Sequence, residues 1–512
     1  MFDSIKRKIK LIFDDKKEKS ATPKIHICNS ISENMSLLKK QFPNSMDLNS
    51  REIEVGKTKL LLLRCEGLVD SENMTISLVK PLITAANKNN YNSEELCDFI
   101  LNKSILAAEQ KEIHYFDELF NFIMAGFVVV IVEGEARGFA MGMQGFKFRS
   151  ISQPENETNE LGAKDGFTEP LRINITLIRR RIRSPKLRFE QLTIGNKSKT
   201  DICLIYLSDV VSQKLINDIK RKIEKVNLDI VLDSSYLRPY LEKSPFSLFS
   251  SIGSTERPDV LCGKINEGRV GILVDGSPFA LILPFLFNEN FKSFDDYAHR
   301  PYFSSFIRIL KYLSFYVSFL LPGAYVGIST FHPELLPHAL LFSIAASEEV
   351  IPFSLMVEAI FIYLVFEIMR EAGIRLPSAV GHTIGIVGAL VIGDAAVNAG
   401  LIGAPMVMVV AITAICAFSI PQLYEPIMIL RFLFIIIGGI SGLFGIALGA
   451  VLVGAIICSM NSMSVPMSAP ISPFDLRWLA DSFIFAGIRK NSSASLKIQN
   501  IKGSKLESGE EE

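Results

Sequence analysis

Cysteine is scarce in this chain of 512 residues, and its spacing lacks any metal-binding pattern. The seven cysteines form an odd, scattered set without a CxxC pair, which argues against the common zinc spacings and fits reduced thiols. A phosphate-binding loop is also missing, because Arg51 stands five residues before Gly56, where "EVGKTK" would need a glycine. No nucleophile–base pair stands out. The sequence therefore predicts neither an enzyme nor a protein that carries a cofactor or a metal.

Charge is also sparse, but only in one part of the chain. Lys plus Arg and Asp plus Glu number 54 each, and only twelve of these 108 side chains lie between Ile309 and Met460. Three of the charge-free windows in this part reach the roughly 20 residues that a membrane-spanning helix needs. The neutral overall balance gives no reason to expect nucleic-acid binding. We therefore predict a water-soluble first part followed by a membrane part.

A secretory signal peptide is absent as well. The basic start "MFDSIKRKIKLIFDDKKEKS" has only "LIF" where a hydrophobic core of about 7–15 residues is required. The water-soluble part is therefore expected to stay in the cytosol. Residues 1–45 are interpreted as a basic tail in which Phe2, Ile5 and Ile9 share one helical face. Such a tail forms either an interfacial helix or a solvated extension.

Two pairs of similar stretches indicate an internal duplication. "KTKLLLLRCEGLVD" (57–70) corresponds to "KTDICLIYLSDVVS" (199–212), and "DELFNFIMAGFVVVIVEG" (117–134) corresponds to "DVLCGKINEGRVGILVDG" (259–276). Both pairs are offset by 142 residues, as a repeated unit of strands and helices requires. The predicted fold class is thus an α/β soluble N-terminal region of two duplicated subdomains, followed by an α-helical polytopic membrane domain.

Changes in composition set the predicted domain boundaries. The predicted segments are the basic tail (1–45), α/β subdomain 1 (46–150), a linker (151–164), α/β subdomain 2 (165–290), a transmembrane domain (300–475) and a polar C-terminal tail (476–512).

A basic stretch lies within subdomain 2. Its six basic residues between Arg179 and Arg188 are interpreted as a solvated helix end, with a subunit or lipid-headgroup contact as the alternative.

The transmembrane domain is expected to contain four full spans and two short insertions, with six spans as the alternative. Arg and Lys residues at the start of the first span and at the end of the second place both chain termini in the cytosol in either case. The spans lie at about 306–328, 352–370, 403–424 and 426–460, and the insertions precede 352 and occupy 381–400.

The second span carries four ionisable side chains within "VEAIFIYLVFEIMREAG" (357–373). Glu367 and Arg370 are one helical turn apart and are predicted to form a helix-end ion pair. Glu358 points to the opposite side of the helix and has no local partner. A carboxylate inside a membrane must meet water, a cation or a group on another helix. Glu358 is therefore a stronger candidate for a functional residue than Glu367.

Four long stretches are specific enough to indicate a family. They are "GFTEPLRINITLIRRRIRSPKLRFEQLTIGNKSKT" (166–200), "STERPDVLCGKINEGRVGILVDGSPFALILP" (254–284), "TFHPELLPHALLFSIAASEEVIPFSLMVEAIFIYLVFEIMREAGIRLP" (330–377) and "IVGALVIGDAAVNAGLIGAPMVMVVAITAI" (386–415). Over about residues 160–475 the chain resembles the A subunit of the GerA-family spore germination receptors of endospore-forming bacteria.

This resemblance implies a location, partners and an activity. The location is the inner membrane of the spore, where an A subunit works among membrane lipids with a transporter-like B subunit and a lipoprotein C subunit. It also implies that A subunits assemble as a ring and form an ion channel. Small nutrients such as amino acids, sugars or nucleosides would open that channel.

A helix that lines a pore within such a ring needs small residues for close packing and polar residues that face water. Segment 381–400 supplies both. Between Ile309 and Met460 acidic residues outnumber basic ones eight to four, which favours cations. The candidate ion-path or gating residues are Glu358, His382, Thr383, Asp394 and Asn398, and the candidate helix-packing glycines are Gly381, Gly385, Gly388 and Gly393.

Two other functions remain open at this point. A secondary transporter would use broken helices to hold its substrate at mid-membrane. A non-conducting membrane scaffold would relay a signal through the duplicated domain.

Overall fold

The chain folds into two α/β units and a helical region. The computed structural model describes residues 25–42, 45–88, 91–103, 109–145, 154, 157–244, 246–376, 393–479, 481–485, 487 and 497–506.

The first unit is built on an antiparallel sheet of five strands. These are β1 (Leu48–Val55), β2 (Thr58–Cys65), β3 (Gln110–Ile113), β4 (Phe127–Val132) and β5 (Gly138–Gly142). Their order in the sheet is β1-β2-β4-β5-β3. The central strand β4 has the sequence FVVVIV and is buried along its whole length, because helices cover both faces of the sheet.

Five helices cover the first sheet, α1 and α5 on one face and α2 to α4 on the other. Single π-helical turns at Thr75–Val79 and Phe99–Lys103 adjoin these helices. The helices are α1 (Ile31–Gln41), α2 (Ser71–Met74), α3 (Lys80–Lys88), α4 (Ser93–Asp98) and α5 (Phe116–Met124).

The second unit has the same kind of sheet. Its strands are ordered β6-β7-β9-β10-β8, and helices again cover both faces. The elements are α6 (Leu171–Arg181), β6 (Leu187–Ile194), β7 (Thr200–Leu207), α7 (Gln213–Ile223), α8 (Arg238–Leu241), β8 (Gly253–Thr255), α9 (Pro258–Asn266), β9 (Val270–Val274) and β10 (Ala280–Leu283).

Equivalent elements of the two units begin 139 to 143 residues apart, and several are offset by 142. Strands β2 and β7 begin at Thr58 and Thr200, and helices α5 and α9 begin at Phe116 and Pro258. The strand orders of the two sheets also correspond one to one. A duplication of one ancestral unit is the interpretation that this correspondence supports.

The helical region follows the second unit. Helix α11 and the stretch Pro421–Ser459, which contains α15, are long and apolar enough to cross a membrane. The helices are α10 (Asp295–Ala298), α11 (Pro301–Phe331), α12 (His338–Glu348), α13 (Leu355–Arg375), α14 (Ala404–Phe418) and α15 (Tyr424–Ser459). After α15 come β11 (Asn461–Ser462), β12 (Val465–Pro466) and α16 (Leu476–Leu479).

Helix α15 reverses direction at Gly442. This residue has a φ of 59° and a ψ of −150°, a backbone conformation that glycine adopts without strain. A Cβ built on Gly449 would lie 3.2 Å from the ring of Phe434, whereas a straight helix would separate the two residues by about 22 Å. The long apolar stretch predicted as the span 426–460 is therefore a pair of helical halves.

Helices α11 and α15 approach each other most closely at two glycines. A Cβ on Gly438 would lie 2.3 Å from the carbonyl oxygen of Gly323, and a Cβ on Gly323 would lie 2.4 Å from the carbonyl oxygen of Phe434. Only a residue without a side chain fits such backbone contact. These two glycines make close helix contacts within the described part of the chain, which does not include Gly381, Gly385 and Gly388.

The folded part of the chain begins earlier than the sequence predicted. Helix α1 packs Ile31 and Leu38 into the core of the first unit, so the predicted tail boundary at residue 45 is too late. Part of the predicted linker is also packed, because Arg257 donates hydrogen bonds to the backbone oxygens of Glu157 at 3.3 Å and Ala163 at 2.8 Å. Arg257 is only 2% exposed.

The predicted polar C-terminal tail returns to the second unit. Ile498, Ile501 and Leu506 are buried in its core beside residues of α7, and the backbone N–H of Ile498 donates to the carbonyl oxygen of Glu267 at 2.8 Å. These apolar side chains add to the core cluster that α7 forms with one face of the sheet. The described C-terminal residues therefore belong to the folded α/β unit.

We predict that Gly438→Ala destabilises the packing of α11 and α15. The added methyl group has to displace backbone, and overpacking of this kind costs about 1–3 kcal/mol. Gly454→Ala is the matched control, because a Cβ on Gly454 meets no atom within 4 Å. Thermal unfolding of both variants in detergent measures the difference, and equal melting temperatures would contradict the close contact.

Candidate functional site

A charged cluster lies inside the helical region around Arg431. This arginine on α15 has no exposed surface. Its Nε donates to the carbonyl oxygen of Ser318 on α11 at 3.1 Å, and its Nη1 lies 3.4 Å from Oε1 of Glu367 on α13. Among the described acidic residues, Glu367 alone lies within 4 Å of the Arg431 guanidinium. The cluster therefore holds three helices together through one buried charge.

Glu367 has a larger set of partners than the predicted helix-end ion pair. Arg370 Nε donates to it at 2.9 Å, as the sequence suggested. The hydroxyl of Tyr424 also donates to both of its carboxylate oxygens at 2.9 Å. The Glu367 side chain is only 13% exposed. The pair is thus part of a buried network and not an isolated surface pair.

Aromatic rings complete the surroundings of the two arginines. The guanidinium carbon of Arg431 lies 4.9 Å from the ring centre of Tyr363, and that of Arg370 lies 4.3 Å from the ring centre of Tyr424. Such cation–π contacts stabilise a desolvated guanidinium. The hydroxyl of Tyr363 is hydrogen-bonded to Thr413 Oγ1 at 2.7 Å, which extends the network to α14.

Glu358 is buried within the chain, with 1% of its surface exposed. Its Oε1 accepts the backbone N–H of Gly403 at 2.7 Å. Gly403 precedes the first residue of α14, and the start of a helix favours a negative charge. The partner that the local sequence did not provide is therefore a backbone group 45 residues further along the chain.

Of the remaining predicted ion-path residues, the structure describes Asp394 and Asn398. Asp394 and Asn398 are exposed on the surface of the single chain. Among the described residues, a Cβ on Gly393 meets no atom within 4 Å. His382, Thr383, Gly381, Gly385 and Gly388 lie outside the described residues.

A second buried cluster joins the start of α11 to the C-terminal segment. Arg308 has no exposed surface, and its Nε donates to Asp296 Oδ2 at 2.8 Å while its Nη1 donates to Asp481 Oδ1 at 3.1 Å. Lys292 Nζ donates to the other oxygen of Asp481 at 3.0 Å. Burial alone would raise the pKa of Asp481, but Lys292 and Arg308 hold it below its usual value.

A third buried ion pair connects the two α/β units. Nε of Arg179 on α6 donates to Asp47 Oδ2 at 2.6 Å, and both side chains are almost fully buried. The prediction of a solvated helix end is wrong for Arg179, because Asp47 of the first unit neutralises its charge. A cavity of about 300 Å³ lies beside this pair and is lined by both units, including Glu66, Asp70 and Arg172.

Sequence reasoning found Glu367 and Arg370 but missed their buried partners. Arg431 was visible as one isolated charge at the start of a long apolar stretch, which is the signal of a buried and paired group. Tyr363, Thr413 and Tyr424 gave no such signal, because aromatic and threonine residues are ordinary in apolar helices. Asp481 lay in the segment that composition alone marked as a polar tail.

Comparisons with known proteins find relatives along most of the chain. The chain is 38% identical over 461 residues to spore germination protein KA of Bacillus subtilis (strain 168), an alignment that covers 89% of this chain and 84% of that protein. It is 32% identical over 459 residues to spore germination protein GerLA of Bacillus cereus, with 89% and 93% covered. Both of these relatives are spore germination proteins.

The family described as Bacillus/Clostridium GerA spore germination protein matches residues 36–495. The chain belongs to this GerA family, as its sequence motifs predicted. It is also 35% identical to the uncharacterized membrane protein YfkQ of Bacillus subtilis (strain 168), with 90% of each chain covered.

One solved structure is similar to part of the chain. It is the N-terminal domain of the A subunit of the Bacillus megaterium spore germinant receptor GerK3, at 27% sequence identity and a TM-score of 0.41. The similarity covers 52% of this chain and 99% of that domain.

We predict that Glu367→Gln strongly destabilises the helical region. The change removes the counter-charge of the fully buried Arg431, and breaking a buried ion pair costs about 3–5 kcal/mol. Glu371→Gln is the matched control, because its ion pair with Arg375 is half or more exposed and is worth less than about 1 kcal/mol. Thermal unfolding in detergent separates the two, and a loss for Glu367→Gln as small as for Glu371→Gln would refute the network.

Proposed function

We propose that this chain is the membrane subunit of a nutrient-sensing spore germination receptor. In this proposal several copies assemble as a ring around a nutrient-gated cation channel in the inner membrane of the spore. The α/β region lies in the cytosol. The subunit works with a transporter-like B subunit and a lipoprotein C subunit, and it has no catalytic role.

The apolar outer surface of the helical region carries this proposal. On the second half of α15, Phe444, Val451 and Leu452 are 78%, 68% and 57% exposed in the single chain. On α11, Phe306, Ile309 and Leu313 are 61%, 53% and 59% exposed. Contiguous apolar surface of this extent is stable only in lipid or against other subunits.

The path of the chain supports an even number of membrane crossings. Helix α11 starts at the second α/β unit, and the chain after α15 returns to the same unit, where the N–H of Phe287 donates to the carbonyl oxygen of Met467 at 2.9 Å. Each half of α15 has about the length of the hydrocarbon core, since 18 residues of helix rise about 27 Å. Both ends of the chain would then lie in the cytosol.

An ion path between subunits is supported by polar groups on the exposed surface. Asp394 and Asn398 are four residues apart and therefore lie on one helical face, and both are exposed in the single chain. A carboxylate does not face lipid at low cost. Contact with water in a shared pore satisfies both side chains. Glu358 on α13 is buried against the start of α14, and this position suits a role in gating.

Two of the buried ion pairs, Arg308–Asp481 and Arg179–Asp47, support a connection between nutrient sensing and gating. The cavity of about 300 Å³ between the two α/β units has the size of small-molecule sites, which occur preferentially at domain interfaces. Arg308 and Asp481 join the second unit and its C-terminal segment to the start of α11. A change of angle between the units would therefore act directly on the first membrane helix.

We predict that the purified chain conducts cations when it is reconstituted into planar bilayers. The acidic excess of the helical region favours cations over anions at the pore, so reversal potentials in a salt gradient should lie near the cation equilibrium potential. A preference for chloride would contradict this prediction. Intact oligomers without any current, with and without nutrient, would favour the non-conducting scaffold.

We further predict that Asp394→Asn lowers single-channel conductance and cation preference, because it removes a negative charge from the proposed path. Glu371→Gln removes one negative charge elsewhere on the helical region and serves as the control. Equal currents for both variants would place Asp394 outside the path.

Glu358→Gln is expected to preserve the fold but to alter gating by nutrient. The amide oxygen keeps the acceptor for the N–H of Gly403, so the melting temperature should stay close to that of the parent protein. Glu358→Ala leaves this N–H without its acceptor and should cost about 1–3 kcal/mol. If ion flux and its dependence on nutrient are unchanged in Glu358→Gln, Glu358 acts only as a structural hydrogen-bond acceptor.

A further inference from the structure

A strongly basic pocket lies on the second α/β unit, outside every cluster described above. It has a volume of about 430 Å³. Three separate parts of the chain form its walls: the end of α7 with the residues after it, the segment that follows α8, and the C-terminal segment with the β11–β12 hairpin. A volume in this range suits a small molecule or a headgroup.

Five cationic side chains line this pocket, and one acidic side chain accompanies them. The acid, Asp218, is already paired with Arg221 at 3.4 Å. The cationic residues are Arg221, Lys222, Lys225, Lys243 and Lys505.

The clustering of these cations is not explained by the helix end alone. Basic residues at the end of α7 complement its dipole, which accounts for Arg221 and Lys222. Lys243 and Lys505 come from two other segments and gain nothing from that dipole. Their convergence on one cavity leaves an excess of positive charge, because Asp218 is the one acidic residue among the lining residues, and like charges at such a site repel each other.

Hydrogen bonds fix the walls of the pocket. The backbone N–H of Lys505 donates to the carbonyl oxygen of Ser464 at 3.0 Å, and Lys214 Nζ donates to the carbonyl oxygen of Lys505 at 3.0 Å. The amino group of Lys222 donates to the carbonyl oxygen of Leu241, and burial lowers the pKa of Lys222. The C-terminal wall is thus held in place before any ligand arrives.

The backbone of Gly503 allows the C-terminal wall to take this course. Its φ is +81°, and a Cβ there would lie 2.8 Å from Cγ of Pro473. Glycine is therefore required at this turn, two residues before Lys505.

The pocket lies close to the end of the last proposed membrane helix. Helix α15 ends at Ser459, and Asn461, Met463 and Ser464 of the following hairpin line the cavity. An extended chain advances about 3.3 Å per residue, so these residues reach no more than about 17 Å beyond the helix end. A headgroup at the membrane surface is within reach, and so is a free solute of the cytosol.

We propose that this pocket binds a phosphate-bearing anion, either the headgroup of an anionic lipid or a free phosphorylated solute. The anion would neutralise the five converging cations and bridge the C-terminal segment to α7. Lipid as the source requires the membrane placement proposed above. Binding of a free phosphate does not, so the two proposals can fail separately.

The test compares Lys225→Gln/Lys243→Gln with Lys39→Gln/Lys57→Gln in the full-length protein. All four lysines are exposed, and the control pair lies on the first unit, so each double variant removes two surface charges. In detergent, inorganic pyrophosphate is titrated at constant ionic strength and the melting temperature is followed. In nanodiscs of phosphatidylcholine with or without phosphatidylglycerol, the retained lipid is measured by native mass spectrometry.

We expect the pocket variant to bind one of these probes roughly 10- to 30-fold more weakly than the parent, since each lysine contributes about 1 kcal/mol to anion attraction near a membrane surface. The control pair should bind as the parent does. Loss of pyrophosphate binding alone identifies a free phosphate, and loss of phosphatidylglycerol retention alone identifies a lipid. Equal binding by both double variants in both arms, with melting temperatures unchanged in the absence of ligand, would overturn the proposal.

Discussion

The buried charge of Arg431 is the constraint on which the helical region depends. Removing a guanidinium from water costs several kcal/mol, and the cost is offset only by close partners with good geometry. Those partners are a carbonyl oxygen of α11 at Ser318 and the carboxylate of Glu367 on α13. Because the partners come from different helices, the positions of α11, α13 and α15 are set together. Segment 357–373 can therefore carry four ionisable groups in an apolar region.

The same principle operates at the two junctions of the α/β region. Arg179 joins the first unit to the second through Asp47, and Arg308 joins α11 to the C-terminal segment through Asp481. Each arginine is nearly or fully buried and each has a carboxylate from a distant part of the chain. A buried ion pair adds little net stability, but breaking it is costly. Such pairs therefore specify which parts of the chain meet at these two junctions.

Backbone contact complements these charges where the helices carry only apolar residues. In a bilayer no hydrophobic driving force acts between helices, so packing has to come from close approach. Gly323 and Gly438 provide it between α11 and α15, and Gly442 allows α15 to fold back toward the α/β region. The return of the chain lets the C-terminal segment complete the second unit and form one wall of the basic pocket.

The sequence by itself was enough to predict what depends on near neighbours in the chain. The 142-residue offset, the apolar run of β4, the long apolar helices and the Glu367–Arg370 pair all follow from sequence self-similarity, local periodicity and composition. Only the tertiary structure decided which distant groups meet: Glu358 with Gly403, Glu367 with Arg431, and Ile498 with the core of the second unit. The physical reason is that Glu358 and Arg431 need partners that no neighbour within one or two helical turns supplies, and Ile498 needs an apolar surface. Which distant segment provides these is set by the packing of whole helices and sheets, which local sequence patterns do not encode.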